Sequence, residues 1–320
     1  MNKNSKIAAL SLLLAALPAS ASDNCVTVEH LGTNNTLVRV NTDSPLLILP
    51  VQESVDDAAV RLLVDGKYER TFYIRLAKSK VDYTVPVDIS KYAGHDVVLN
   101  VLTSQNRSSV REAKDDVCWS NIRLNDSFDS SNREKYRPAY HHTPLWGWMN
   151  DPNGMYYDNG TWHLYYQWNP YGSKWQNMTW GHSTTKDLIN WEHHPAAIEP
   201  QAMGSIFSGS AVMDKNNTAG FGSDAVVAMY TTADASQTQS IAHSHDGGMT
   251  FELYPGNPVL TLETEARDPK MFYNDKTGEW NMTLAHALDH EMLFFSSKDL
   301  KNWTLNGSFG KVAAQGGVWE

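Results

Sequence analysis

The stretch Asp151–Tyr157 (DPNGMYY) carries the most information about the architecture, because a close copy, Asp268–Tyr273 (DPKMFY), begins 117 residues further along the chain. A second segment recurs in the same way: Lys186–Trp191 (KDLINW) returns 112 residues later as Lys298–Trp303 (KDLKNW). A degenerate third copy, His245–Phe251 (HDGGMTF), lies between these two. The C-terminal part of the chain is therefore built from a repeated unit.

The length of this unit indicates its structure. The turn-forming residues Asp187, Asp246 and Asp299 are 59 and 53 residues apart. Repeats of this length, made of short strands and tight turns, are typical of β-propeller blades. A hairpin turn is also predicted at Asp158–Gly160, between two strand-like segments.

We therefore predict an all-β chain in which residues 138–320 form an incomplete β-propeller with about three blades. A long β-sandwich is the alternative, but it does not predict repeated turn sequences at blade spacing. Because a propeller closes its ring and three blades would leave sheet edges exposed, we expect the sequence to be part of a longer protein.

Residues 22–124 have a different character and are predicted to form a β-sandwich-like accessory domain. Val60–Val64 and Val97–Leu102 resemble strands, a turn is marked by Asp65–Gly66, and helical periodicity is scarce. The polar residues 125–137, rich in Ser, Asp and Asn, are predicted to be a linker.

The first 21 residues have the features of a secretory signal peptide. Lys3 and Lys6 precede the apolar run Ile7–Leu17, and Ala19–Ala21 offers small residues for cleavage. No later segment approaches the roughly 20 apolar residues that a membrane-spanning helix needs. We therefore expect an exported protein (periplasmic, cell-surface or extracellular) without a membrane span.

The charge balance restricts the kind of partner. The formal net charge is −10, and it becomes −12 without residues 1–21, which contain two lysines and no acidic residue. A chain this acidic repels nucleic acid and anionic membranes, so a neutral substrate fits better. The alternative is that the charge only keeps an exported protein soluble.

The two cysteines, Cys25 and Cys118, leave two possibilities open. In an oxidising compartment an even number of cysteines favours a disulfide, which would join the start of the mature chain to the end of the first domain. The sequence does not determine whether the two sulfur atoms meet, so two separate thiols are equally compatible with it.

The run Trp148–Gly154 (WMNDPNG) contains the first candidate catalytic residue, Asp151. Pro152 fixes its own backbone angle and biases Asp151 towards an extended conformation, while Gly154 adds freedom at a turn. This predicts a carboxylate held at a rigid point of an inner strand. An ordinary Asn-Asp-Pro turn is the alternative, but the copy of Asp-Pro in a later repeat argues against it.

Two further carboxylates accompany it. Asp268 follows Arg267, which is expected to lower the pKa of Asp268 and keep it ionised. Glu320 follows Trp319, and a glutamate in a desolvated aromatic pocket would have a raised pKa and could act as a general acid. The alternatives are a structural Arg-Asp pair and a solvated glutamate.

These motifs together resemble a known family. Residues 141–320 are similar to the catalytic domain of glycoside hydrolase family 32, which comprises the invertases, inulinases and levanases. The segments that carry the resemblance are Trp148–Gly154, Tyr166–Pro170 (YQWNP), Asn177–His182 (NMTWGH), Phe207–Val212 (FSGSAV) and Arg267–Pro269. Residues 22–124 are more loosely similar to the β-domains that precede some bacterial fructan-degrading members.

The resemblance implies a five-bladed propeller followed by a β-sandwich, of which about three blades are covered. The Cys-Pro pair that usually follows Trp-Glu, the last blades and the sandwich are absent. By this likeness, Asp151 is the nucleophile, Asp268 the transition-state stabiliser and Glu320 the acid/base. The residues expected to line a fructose pocket are Asn150, Gln167, Trp175, Phe207, Ser208 and Arg267. No metal or organic cofactor is expected.

The function implied is retaining hydrolysis of β-D-fructofuranosidic bonds in fructans such as levan or inulin, releasing fructose or fructo-oligosaccharides. Three alternatives remain: a sucrose-hydrolysing invertase, a fructosyltransferase of the same fold, and a non-catalytic fructan-binding protein.

Overall fold

The computed structural model describes residues 25–41, 44–103, 114–131, 136–138, 140–312 and 317–320. The chain is all-β in these residues, as predicted, and its strands form five antiparallel sheets. The predicted signal peptide, residues 1–21, lies outside the described residues. No helix in the described part of the chain is long and apolar enough to cross a membrane.

The N-terminal part is a sandwich of two sheets. One has the strand order β1-β2-β7-β4-β5 and the other the order β6-β3-β8. The strands are β1 (Cys25–His30), β2 (Asn35–Asn41), β3 (Leu46–Val51), β4 (Ala58–Val64), β5 (Lys67–Ile74), β6 (Tyr83–Asp88), β7 (Val97–Leu102) and β8 (Arg123–Asn125). A 3₁₀ turn at Ser90–Tyr92 and a single helical turn at Cys118–Asn121 join them.

Alternation of side chains explains the sandwich core. In β4, Val60, Leu62 and Val64 point into the core, whereas Arg61 between them is exposed. This period of two is what a strand with one buried face requires. No disulfide joins Cys25 to Cys118, so of the two possibilities the structure has the separate cysteines. The predicted division at residues 125–137 stays a prediction.

The described residues after 140 form three sheets in sequence. The first contains β9 (Trp148–Asp158), β10 (Thr161–Asn169), β11 (Thr179–Thr185) and β12 (Glu192–Ile198). The second contains β13 (Ser205–Asp214), β14 (Ala225–Ala233), β15 (Gln237–Ser244), β16 (Glu252–Leu253) and β17 (Leu260–Thr261). The third contains β18 (Arg267–Asn274), β19 (Glu279–His286), β20 (Glu291–Ser297) and β21 (Thr304–Gly310), with a 3₁₀ turn at Ala287–Asp289.

Each sheet has the up-and-down order of a propeller blade, and the first strand of each blade contacts the first strand of the next: β9 contacts β13, and β13 contacts β18. The hairpin predicted at Asp158–Gly160 is present, with left-handed Asn159 and Gly160 between β9 and β10. Gly154 does not lie in a turn as expected. It lies within β9, where a Cβ atom would approach the Tyr165 ring to 2.9 Å.

The repeated aspartates form the same turn in all three blades, before the outer strand or strands. Asp187 accepts hydrogen bonds from the backbone N–H groups of Ile189 and Asn190. Asp246 accepts from the backbone N–H groups three and four residues further on. Asp299 accepts from those two and three residues further on. A carboxylate that caps its own turn specifies the turn locally, which is why the repeat was visible in the sequence.

A cluster of three charged side chains, built on the buried Arg70, connects the sandwich to the first blade. Arg70 of β5 pairs with Glu199, which follows β12, and Lys91 Nζ lies 2.6 Å from the other oxygen of Glu199. The Arg70 side chain is only 4% exposed and also donates to the Tyr171 hydroxyl at 3.1 Å. Burial raises the pKa of Glu199, but the charges of Arg70 and Lys91 outweigh it and hold that pKa below its ordinary value.

Replacing Glu199 should therefore weaken the attachment of the sandwich. Glu199→Gln leaves the buried guanidinium of Arg70 without its counter-charge, and we expect a loss of about 3 kcal/mol in the free energy of unfolding. Urea denaturation measures this loss. Glu192→Gln, an exposed carboxylate of the same blade, is the control and should change stability little. Equal stability of the two variants would show that the cluster does not hold the domains together.

Candidate active site

A β-bulge interrupts the first strand of each blade at the same level. In every case two residues of the inner strand lie opposite one residue of the neighbouring strand. Bulges of this kind re-aim side chains and are frequent next to active sites. The bulged pairs are Asn150–Asp151 in β9, Phe207–Ser208 in β13 and Asp268–Pro269 in β18, and they face Gln167, Thr231 and Leu284 respectively.

The first bulge presents the carboxylate of Asp151. Its Oδ2 accepts a hydrogen bond from the Ser208 hydroxyl at 2.8 Å, and its Oδ1 accepts one from Asn150 Nδ2 at 3.1 Å. Asp151 is nevertheless exposed, so its carboxylate is both oriented and accessible. The side-chain amide oxygen of Asn150, Oδ1, is buried and has no hydrogen-bond partner among the described residues.

Beneath Asp151 lies a buried pair of side-chain amides, Asn153 and Gln167. With its amide nitrogen facing Ser208, Asn153 donates to Ser208 Oγ at 3.1 Å and accepts from Gln167 Nε2 at 3.0 Å. Gln167 was predicted to be a site residue, but Asn153 was not. Asn153 lies two residues after Asp151, and residues with this spacing lie on the same face of a strand, so the sequence could have indicated it.

The aromatic residues predicted to line the pocket are also brought together. The rings of Trp175 and Phe207 are 5.9 Å apart and nearly perpendicular. Trp175 is 54% exposed, an unusual degree of exposure for a side chain of this size. An exposed indole beside a polar carboxylate site offers an apolar face on which a sugar ring could pack.

Asp268 lies on the third bulge in a left-handed conformation, with φ of 62°. Such angles in residues other than glycine are uncommon and cluster at functional sites. The expectation that Arg267 lowers the pKa of Asp268 is wrong in its net result. Burial, followed by the negative charge of Glu320, raises this pKa to about 6, and the opposing effect of Arg267 is smaller.

Arg267 instead binds Glu320 directly. Its Nη2 and Nε atoms lie 3.1 and 3.4 Å from Glu320 Oε1, whereas its Nε atom is 3.8 Å from Asp268 Oδ2. The Glu320 side chain is 63% exposed. Among the described residues no desolvated aromatic pocket surrounds Glu320, because its carboxylate is exposed and pairs with Arg267.

All nine predicted residues thus lie on the inner strands or on segments that contact them. Asp151 and Glu320 both lie close enough to Asp268 for their negative charges to raise its pKa. The His142 ring stacks on His193, and burial lowers the pKa of His142 to about 4. In the described part of the chain no group of three or more His, Cys, Asp or Glu side chains could hold a metal ion.

An accessible, oriented carboxylate, a second carboxyl group with a raised pKa and a third held by an arginine are the components of acid–base and nucleophilic catalysis at a sugar bond. The fold and the site therefore define a β-propeller protein with a carboxylate centre. The chain belongs to glycosyl hydrolases family 32, whose N-terminal domain model matches residues 141–320. A second family model, for a domain of unknown function (DUF4980), matches residues 32–140.

Individual relatives agree with this assignment. A levanase from Bacillus subtilis is 49% identical over 203 residues, which cover 61% of this chain and 30% of the levanase. An extracellular exo-inulinase from Aspergillus niger is 41% identical over 58% of this chain and 41% of its own length. The structure of a fructofuranosidase from Schwanniomyces occidentalis complexed with fructose is similar at a TM-score of 0.56 and 43% identity, covering 60% of this chain and 40% of that chain. The chain spans less than half the length of these relatives.

The raised pKa of Asp268 leads to a prediction about stability. Its folded pKa of about 6 exceeds the ordinary value of 3.8, so the unfolded chain loses this proton first as the pH rises. Asp268 therefore costs stability increasingly between pH 3.8 and 6, and the full cost of about 2–3 kcal/mol applies above pH 6. The test is the substitution of Asp268 by Asn, because Asn has no charge and tolerates the left-handed backbone at this position.

We expect Asp268→Asn to raise the free energy of unfolding at pH 7.5 by about 2–3 kcal/mol and to have almost no effect at pH 3.5. Thermal unfolding of both proteins across this pH range measures the difference. A gain of the same size at both pH values would show that the charge of Asp268 is not its source.

Proposed function

We propose that this protein hydrolyses β-D-fructofuranosidic bonds in fructans with retention of configuration. The observation that carries the proposal is the convergence of Asp151, Ser208 and Asp268 on the bulges of three adjacent inner strands. Membership of glycosyl hydrolases family 32 and similarity to a levanase and an exo-inulinase support the substrate class.

In the proposed mechanism Asp151 is the nucleophile. Its carboxylate attacks the anomeric carbon of the fructosyl unit while Glu320, protonated and no longer paired with Arg267 at this step, protonates the leaving oxygen, which gives a covalent fructosyl-enzyme. Glu320 then removes a proton from water, and the water oxygen displaces Asp151. Two displacements at one carbon retain the configuration, and they require the two carboxyl groups to lie about 5–5.5 Å apart during reaction.

The surrounding residues would orient these groups. The hydrogen bonds from Ser208 and Asn150 fix the rotation of the Asp151 carboxylate. Arg267 holds Glu320 at the edge of the site. Asp268, with a pKa of about 6, is mostly ionised at neutral pH, where it can accept hydrogen bonds from sugar hydroxyls and stabilise a developing oxocarbenium ion.

The proposed substrate is a fructan such as levan or inulin, and the proposed products are fructose or fructo-oligosaccharides. Sucrose is the main alternative, because a pocket for one terminal fructosyl unit serves both. Neutral sugars suit the acidic chain, which we do not expect to bind nucleic acid. We also propose that the protein is exported, as the exo-inulinase relative is described as extracellular.

Removing the proposed nucleophile tests the mechanism. In the full-length protein, Asp151→Asn should lower kcat by at least about 1000-fold while substrate binding is largely retained, because the amide cannot form the glycosyl ester. Asp158→Asn, at the other end of the same strand, is the matched control and should keep normal turnover. Near-normal release of fructose by Asp151→Asn would exclude the assignment.

Parallel incubation of the full-length protein with levan, inulin and sucrose distinguishes the functions that share this fold. Release of free fructose from levan or inulin at a higher kcat/KM than from sucrose is expected. Preference for sucrose would indicate an invertase, and transfer products at high sucrose a fructosyltransferase. Binding without any product would indicate a non-catalytic fructan-binding protein.

A further inference from the structure

The segment between β10 and β11, residues 170–178, carries Trp175 and is called the Trp175 loop below. Although Ser173, Lys174 and Trp175 are exposed, an internal amide pair holds the loop. Asn169 Nδ2 donates to the carbonyl of Lys174 at 2.8 Å, and Asn169 Oδ1 accepts from Asn177 Nδ2 at 2.9 Å. The base of the loop is thus closed by two asparagine side chains.

Asn177 also attaches the loop to the N-terminal sandwich. Its Oδ1 accepts from the backbone N–H of Tyr73 at 2.7 Å, and its Nδ2 donates to the carbonyl of Tyr73 at 2.8 Å. Tyr73 lies on β5, the edge strand of the five-stranded sheet, whose outward backbone groups need partners. The side-chain amide of Asn177 therefore takes the place of a neighbouring strand.

The tip of the loop has its own contact with the sandwich. Ser173 lies close enough to Glu53 and Tyr83 to act on the pKa of both groups, and Tyr83 donates a hydrogen bond to Glu53. Burial raises the pKa of Glu53, but these two groups and the charges of Arg75 and Lys174 outweigh it and lower that pKa. Glu53 is consequently ionised at neutral pH and lies beside the tip of the loop.

A third contact lies near the start of the loop. The ring of Tyr171 packs on Phe72 of β5 with centroids 4.4 Å apart, and its hydroxyl accepts from the buried Arg70. The loop therefore lies against the sandwich near both of its ends and at its tip.

On its other side the loop reaches the candidate active site. The Trp175 ring contacts Phe207, and the residue after Phe207 is Ser208, which donates to Asp151. An unbroken series of contacts thus runs from Tyr73 of the sandwich through the loop to the carboxylate of the first blade.

We propose that the N-terminal sandwich supports the substrate site, because it fixes the Trp175 loop and so positions the Trp175 ring for the terminal fructosyl unit. The proposal rests on the proposed function. Asn177 and Tyr83 are positioning residues in it: they touch no substrate and act through Trp175. A loop that must be ordered by the ligand weakens binding, whereas the chemistry at Asp151 is unaffected.

Two variants on opposite sides of the interface test this inference. Asn177→Gly keeps the left-handed backbone, φ of 52°, and removes the clamp. Tyr83→Phe, on the sandwich side, removes one hydroxyl. We expect KM for the fructan or sucrose substrate to rise about tenfold and about threefold respectively, with kcat within about twofold of wild type.

Each variant has a matched control that should leave both constants unchanged. Asn217→Gly replaces another left-handed asparagine, with φ of 53°, in an exposed loop of the second blade. Tyr68→Phe removes an exposed hydroxyl of the sandwich that bonds to Thr71 rather than to the loop.

A double-mutant cycle with Trp175→Ala separates positioning from general destabilisation. If Asn177 and Tyr83 act through the indole, each substitution should change KM by less than about twofold once Trp175 is alanine. Additive increases in KM, a KM unchanged by both single variants, or effects as large in the controls would overturn the proposal. Should Asn177→Gly fail to fold, the Tyr83→Phe cycle alone gives the answer. The proposed function is tested separately: if the wild-type protein is active and Asp151→Asn is not, the function stands whether or not the loop proposal fails.

Discussion

The site depends on one backbone constraint: the first strand of every described blade contains a bulge at the same level. In a regular strand two successive side chains point to opposite faces of the sheet, so both could not point towards the same site. The extra residue turns the strand locally. Because β9, β13 and β18 are neighbours, the bends at the three bulges bring Asp151, Ser208 and Asp268 together. The blades around them fix the level at which this happens.

Much of the scaffold was predictable because its information is local. The aspartates of the repeated turns cap backbone groups two to four residues away, and Asn159 with Gly160 supplies the left-handed hairpin. The position of Asp151 and the copy at Asp268 followed from the same repeats. The bulges did not, since a bulge is defined by the register of two strands and not by either sequence alone.

The electrostatics of the site were not predictable from neighbours in sequence. Arg267 precedes Asp268, yet its guanidinium binds Glu320, 53 residues away, and burial then dominates the pKa of Asp268. The contact of Asn177 with Tyr73 spans 104 residues, and the two belong to segments that sequence analysis treats as separate units. Adjacent charges in a sequence therefore indicate a site's composition more reliably than its protonation.

The left-handed backbone of Asp268 has a consequence for the choice of residue at this position. Asn accepts this conformation as readily as Asp, and a neutral amide avoids the cost of an ionised group among other carboxylates. Folding alone therefore gives no reason for an acid at this position. If the proposed function holds, the acid at residue 268 is kept for catalysis at the expense of stability.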